Sequence, residues 1–142
     1  MSTHTTEISP EVEAAWRVAI KARENAYTPY SGFKVGAAIR IKGSAAIIPG
    51  CNVENASYGA TMCAERTAIF AACAQFGKPE IESIVIVTGE PTATVPCALC
   101  LQVMAEFCSP TTPIFSGNAQ GISKVWLLRD LLPKPFVEFD TP

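Results

Sequence analysis

Histidine is almost absent from this chain: among 142 residues the one imidazole is His4, in the polar opening stretch MSTHTTEISP. Aspartate is nearly as scarce, with Asp130 and Asp140 both close to the far end. A Ser/His/Asp relay in the middle of the chain is thereby excluded, and any proton transfer there falls to a glutamate, with Glu54, Glu65 and Glu106 as the central candidates. A surplus of positive charge is missing too. The formal net charge is -2, and the 11 Lys and Arg residues are scattered from Arg17 to Lys134, so a phosphate backbone finds no stripe to hold it. No apolar run approaches the length of a bilayer-crossing helix, and the opening stretch has neither the basic start nor the apolar centre of a secretory signal. The expectation is a cytoplasmic protein without a nucleic-acid or membrane partner.

An apolar content of 49% over this length supplies one good core, hence a single domain over 1–142, with 1–8 a frayed tail and 137–142 a C-terminal tail. Ser9 before Pro10 marks a helix start, and Val12, Ala15, Trp16, Ala19, Ile20 and Tyr27 then recur at helical spacing. In FKVGAAIRI the residues Val35, Ala37, Ile39 and Ile41 alternate, KGS turns the chain, and AAIIPGCNV returns it, which predicts a hairpin whose Pro49 favours an edge or bulged position. Met62 to Phe76 reads as a helix burying Ile69, Cys73 and Phe76; IESIVIVTG reads as a central strand covered on both sides. A second helix spans Pro96 to Phe107, followed by short strands at PIFS and KVWLL and a helical turn in RDLLPKPF. The order α, β, β, α, β, α, β, β, α predicts an α/β sheet with helices on both faces.

Six cysteines remain to be explained. Cys97 and Cys100 stand three apart behind Pro96, on one face of the first turn of a helix, where unpaired N–H groups and the helix dipole favour thiolates. By itself this pair is equally a redox pair or core packing. Cys63 opens the other helix, and a third thiolate can join the first two if the two helix starts converge at one edge of the sheet. Glu65 would point away from Cys63 on an ideal helix, so Cys63 belongs at the cap, where the backbone is not yet helical. Three thiolates leave one corner of a zinc tetrahedron for water, as in a catalytic site; a fourth ligand from Cys51, Cys73 or Cys108 would close it into a structural one. Those three otherwise read as ordinary buried or half-buried thiols.

The CAE…PCxxC arrangement is the zinc deaminase signature. The blocks YSGFKVGAA, GCNVENASYGATMCAERTAIF, PCALCLQVMAEF and LLPKPF resemble, in order and spacing, the small homotetrameric cytidine deaminases, from the first helix to Phe136. The resemblance implies a three-layer α/β/α fold around a mixed five-stranded sheet. It implies one Zn²⁺ per subunit on Cys63, Cys97 and Cys100, with Glu65 as the proton shuttle and Arg66 donating to a ligand sulfur. It implies further that Asn52 and Glu54 bind the ribose, that Phe33 and Ala64 contact the nucleoside, and that Tyr58 and Phe136 close a neighbour's pocket. The activity implied is hydrolysis of cytidine, and of deoxycytidine, to the uracil nucleoside and ammonia in pyrimidine salvage. Where the family commonly reads PCGxCRQ this chain has Ala98 and Leu101, and Val137 stands where Gly-Pro is common. Alternatives are a deaminase of a related aminopyrimidine nucleoside such as a nucleoside antibiotic, a polynucleotide deaminase, which would need the missing positive surface, and a structural zinc module, which would need a fourth ligand.

Overall fold

The computed structural model describes residues 7–139; His4, Asp140 and most of the expected N-terminal tail lie outside the described residues. Helix α1 (Pro10–Glu24) begins where the sequence places it, with the Ser9 hydroxyl accepting from the Val12 N–H at 3.2 Å. Five strands follow: β1 (Gly36–Ile41), β2 (Ile47–Cys51), β3 (Ile81–Val87), β4 (Pro113–Asn118) and β5 (Gly121–Leu127), interleaved with α2 (Ala64–Phe76) and α3 (Ala98–Phe107) and trailed by α4 (Leu128–Leu131). They form one mixed sheet in the order β2-β1-β3-β4-β5, in which only β3 and β4 run parallel. Pro49, which cannot donate to a ladder, lies exposed on the edge strand β2.

The sheet is covered on both faces. Helix α1 packs Val12, Ala15 and Ala19 against Ala38, Val85, Val87 and Phe115. Helices α2 and α3 cover the other face, where Ala37, Ile39, Ile84, Ile86 and Ile114 meet Ala68, Ile69, Cys100 and Met104. The alternation read in FKVGAAIRI therefore separates two buried faces, not a buried face from a wet one. Strand β1 also begins three residues later than that stretch, because Phe33 to Val35 is held by a side chain, that of Asn52.

Two expectations about helix faces are corrected. Tyr27 is not on the buried face of α1: the helix ends at Glu24, and Tyr27, 56% exposed, instead donates its N–H to the Asn52 carbonyl at 3.0 Å. Helix α2 buries Ala64, Glu65, Ala68, Ile69 and Ala72, leaving Cys73 half-buried and Phe76 41% exposed. Small residues win that face because the helix approaches the sheet too closely for large ones. A Cβ on Gly50 of β2 would sit 2.4 Å from the Ala64 carbonyl oxygen and 2.6 Å from the Ala68 nitrogen. Gly36 plays the same part for α1, where a Cβ would come 2.0 Å from the Ala19 carbonyl oxygen.

Gly50 thus sets how far the start of α2 stands from the sheet. Gly50→Ala is expected to destabilise the fold by about 1–3 kcal/mol, the usual cost of overpacking, and to lower Tm by several degrees in calorimetry. A variant melting with the parent protein would show that the close approach carries no energy.

Candidate metal centre and pocket

Both helix starts that carry cysteine are built alike. Cys63 caps α2 with φ -72° and ψ 156°, and Cys97 caps α3 with φ -68° and ψ 160°, so each side chain leaves an extended residue just before the helix. Cys100 follows in the first turn of α3 and is fully buried. The Cys63 sulfur lies 3.7 Å from the Cys97 sulfur, and the three sulfurs all fall within 4.8 Å of one another. Ligands at about 2.3 Å from a tetrahedral zinc are separated by ~3.8 Å, so the Cys63–Cys97 pair already stands at the spacing the ion demands, with the Cys100 sulfur close by. Among the described residues no fourth His, Cys, Asp or Glu joins the cluster. Cys51 ends β2, Cys108 caps the C-terminus of α3 and Cys73 lies along α2, all half-buried and apart from it.

The electrostatics of the cluster also fit a cation. Hydrogen bonding from the Cys100 thiol, with the Arg66 guanidinium behind it, brings Cys63 down to about 5. Cys100 is driven far up in turn, first by that hydrogen bond to Cys63 and then by burial. Thiolates packed this closely repel one another, and a bound cation stabilises them together. Arg66 donates from Nη2 to the Cys63 sulfur at 3.4 Å, while its buried Nε has no partner. Leu101, next to Cys100, is buried and apolar, so no second cation stands there.

Glu65 is only 5% exposed, although it carries a carboxylate. Burial pushes its pKa up, opposed in part by its own backbone N–H at the helix start. It lines, with Cys63, Ala64 and Cys97, a pocket of about 190 Å³ whose other walls include Phe33, Asn52, Thr61 and the segment Thr94–Pro96. Phe33, Asn52, Ala64, Glu65 and two of the cysteines are thus brought together from four separate stretches of sequence. A larger hollow of about 390 Å³ beside Trp16 and Arg17 contains no thiol and no buried acid, so the chemistry belongs to the smaller one.

Asn52 is the hinge of the pocket wall. Its Nδ2 donates to the Phe33 carbonyl at 2.8 Å and its Oδ1 accepts from the Val35 N–H at 2.9 Å, which leaves one N–H and one lone pair of the amide for anything else. Glu54 lies one step outside, lining an adjoining hollow with Tyr30, Ser31, Asn55 and Tyr58, and Thr61 borders both spaces. Its carboxylate accepts from the Ser31 hydroxyl and from the Tyr30 and Ser31 N–H groups at 3.1 and 3.0 Å, and these bonds, the hydroxyl foremost, lower its pKa. Tyr58 is 77% exposed and meets Tyr30 edge-on at 6.1 Å. Phe136 is not in either space: Gln102 of α3 accepts from its N–H at 3.3 Å and donates to its carbonyl, and its ring stacks on Phe139.

Sequence reasoning missed Thr94, Val95 and Thr61 as pocket walls, and Ser31 as the partner of Glu54. The turn TPYSG read only as a helix stop, and no spacing rule ties position 31 to position 54. A signal for the Thr94 segment did exist, in the polar Ser116 set between apolar residues of PIFSG.

Comparison with known proteins agrees with this geometry. Residues 9–116 match the family model described as the cytidine and deoxycytidylate deaminase zinc-binding region. A cytidine deaminase of Halalkalibacterium halodurans is 46% identical over 122 residues, which is 86% of this chain and 91% of that protein. One from Sporosarcina psychrophila is 41% identical over 84% of this chain and 87% of its own length. The crystal structure of a cytidine deaminase from Burkholderia pseudomallei superposes with a TM-score of 0.82 at 45% identity, covering 87% of this chain and 98% of that one. A family model spanning three-quarters of the sequence, a shared fold and a three-thiol cluster that could hold a metal lead to one conclusion: this chain belongs to the zinc-binding cytidine and deoxycytidylate deaminase family.

Proposed function

We propose that the protein hydrolyses cytidine, and deoxycytidine, to the corresponding uracil nucleoside and ammonia, and that it serves pyrimidine salvage in the cytoplasm. The observation that carries this reading is a buried glutamate opening into the same small pocket as a three-thiol metal centre. Cys63, Cys97 and Cys100 are the residues to hold zinc. When bound there, zinc would supply Lewis acidity that brings the pKa of a water to about 7.

Glu65 does the proton work. It accepts a proton as water oxygen adds to C4 of the cytosine ring and delivers that proton to N3. A second proton then passes through the same carboxylate to the exocyclic amine; the C4–N bond breaks, ammonia departs and a C4 carbonyl remains. A carboxyl raised by burial suits a group that must hold a proton between two transfers. Ala64 and Phe33 pack against the base, and the free N–H and lone pair of Asn52 face the sugar, with Glu54 beyond it in the adjoining hollow. No Lys or Arg lines either space, and Glu54 is an anion there. This favours a nucleoside over a phosphorylated nucleotide. A related aminopyrimidine nucleoside would fit the same zinc centre.

A pocket of about 190 Å³ is below the ~300 Å³ at which ligand sites usually begin, which suits a site finished by neighbours. Tyr58, Phe136 and Leu99 are 77%, 67% and 64% exposed, a density of outward aromatic and aliphatic groups that association would cover. We infer a homotetramer in which Tyr58 and Phe136 of one copy close the pocket of another.

Ammonia release measured on cytidine, deoxycytidine, cytosine and cytidine monophosphate tests the substrate class. Turnover is expected for the two nucleosides and not for the nucleotide; the reverse ranking would refute it. Glu65→Ala should keep the fold and the zinc while losing about 10⁴-fold in kcat, the upper range for a general base used more than once. A variant with a tenth of normal activity would remove Glu65 from its role. Three thiolates on Zn²⁺ carry net negative charge, and the Arg66 guanidinium on Cys63 offsets it. Arg66→Gln is expected to loosen zinc by about 10–100-fold in a chelator competition; unchanged affinity would show that Arg66 compensates nothing.

A further inference from the structure

The segment that delivers Cys97 to the metal centre has no regular structure of its own. It leaves β3 at Val87 and reaches the cap of α3 at Cys97, and Thr94, Val95 and Pro96 within it are walls of the pocket. A nine-residue connection of this kind wanders unless something holds it. What holds it is a set of side chains on its own stem and on the neighbouring strand. The Ser116 hydroxyl of β4 donates to the Thr94 carbonyl at 2.8 Å and accepts from the Thr94 N–H at 3.0 Å, satisfying both main-chain groups of one residue. Ser116 is fully buried in a strand otherwise apolar at that level, between Phe115 and Gly117. The buried Thr88 hydroxyl adds a second tie, accepting from the Glu90 N–H at 3.1 Å and pairing with the Thr94 hydroxyl at 3.1 Å. The side chain of Asn118 donates to the Glu90 carbonyl at 3.0 Å, fixing the near end.

We infer that Ser116 is a positioning residue for the metal centre: by gripping Thr94 on both main-chain groups it fixes the segment Thr94–Pro96 and, three residues on, the place of the Cys97 sulfur. Nothing in its surroundings gives the hydroxyl another purpose, since its donor and its acceptor both go to Thr94. A buried serine in an apolar strand costs desolvation unless its bonds return something, and here they order a loop. Ser83 on β3 supplies the contrast: its hydroxyl is just as buried and has no partner. The inference rests on Cys63, Cys97 and Cys100 being the zinc site, and on no particular substrate.

The test is zinc affinity of the full-length protein, measured by competition with a chromophoric chelator at a temperature where circular dichroism shows each variant folded. Ser116→Ala is expected to weaken zinc by about 10-fold, the lower end of the effect of indirect partners, because it leaves both Thr94 groups unbound and Cys97 free to drift. Ser83→Ala, which removes an equally buried but unpartnered hydroxyl, is expected to leave zinc affinity unchanged. Should Ser116→Ala not fold, Ser116→Gly takes its place, with Ser116→Thr keeping the hydroxyl and the affinity. Ser116→Ala, or in its absence Ser116→Gly, binding zinc within twofold of the parent would overturn the inference; so would an equal loss in Ser83→Ala. Because the readout is metal and not turnover, a different substrate would leave this result standing.

Discussion

Three thiols from two helix starts have to meet within 4.8 Å, and most of the rest of this fold serves that meeting. The Cys100 thiol hydrogen-bonds to Cys63, which is why Cys63 comes down in pKa as Cys100 goes up, and sulfurs so close repel one another once all are ionised. A divalent cation removes the conflict and converts repulsion into cohesion between α2 and α3. The two helices touch each other little along their lengths and are organised instead by the sheet beneath them. Gly50 lets α2 come down onto β2, and the Thr67 hydroxyl, sharing its one proton between the carbonyls of Cys63 at 2.7 Å and Cys51 at 2.9 Å, ties the strand end to the cap. On the other side the ties from β4 hold the approach to Cys97. The metal centre is therefore the point at which two independent pieces of scaffold are brought into register.

The pocket depends on the same economy of parts. Asn52 follows β2 directly, and its one amide holds the Phe33–Val35 backbone as a wall while its own carbonyl takes the Tyr27 N–H. Val53 then pairs with both Tyr27 and Met62, so the residues before Cys63 are fixed by the same short cross-links that place the sugar side of the pocket. Glu54 is pre-ordered by Ser31 and Tyr30 before any ligand arrives. A site arranged in this way loses little entropy when a small polar substrate enters.

Much of this was legible in the chain. The Ser9–Pro10 start, the cap at Cys63, the covered strand IESIVIV and the edge position of Pro49 all follow from local rules, and the structure bears them out, whereas Cys97, read as part of the first helical turn, stands one residue before α3 as its cap. The face of α2 did not follow, because periodicity weights large residues and this helix is seated by alanines over a glycine. Tyr27 failed for a related reason: its spacing continues the helix, but a hydrogen bond to Asn52, far along the sequence, ends it. The ties from Ser116 to Thr94 and from Ser31 to Glu54 span 22 and 23 positions, and no periodicity encodes such pairs. The site's ligands were readable because metal chemistry restricts residue type and spacing; its supports were not, because any well-placed hydroxyl or amide can fill that part.

The account's central claim is that the metal has three protein sulfurs and one open corner. X-ray absorption at the zinc edge of the purified protein measures the coordination shell directly. The claim predicts three sulfurs at about 2.3 Å and one oxygen at about 2.0 Å. Four sulfurs would make the centre a closed structural site, and a shell without sulfur would place the metal somewhere other than Cys63, Cys97 and Cys100.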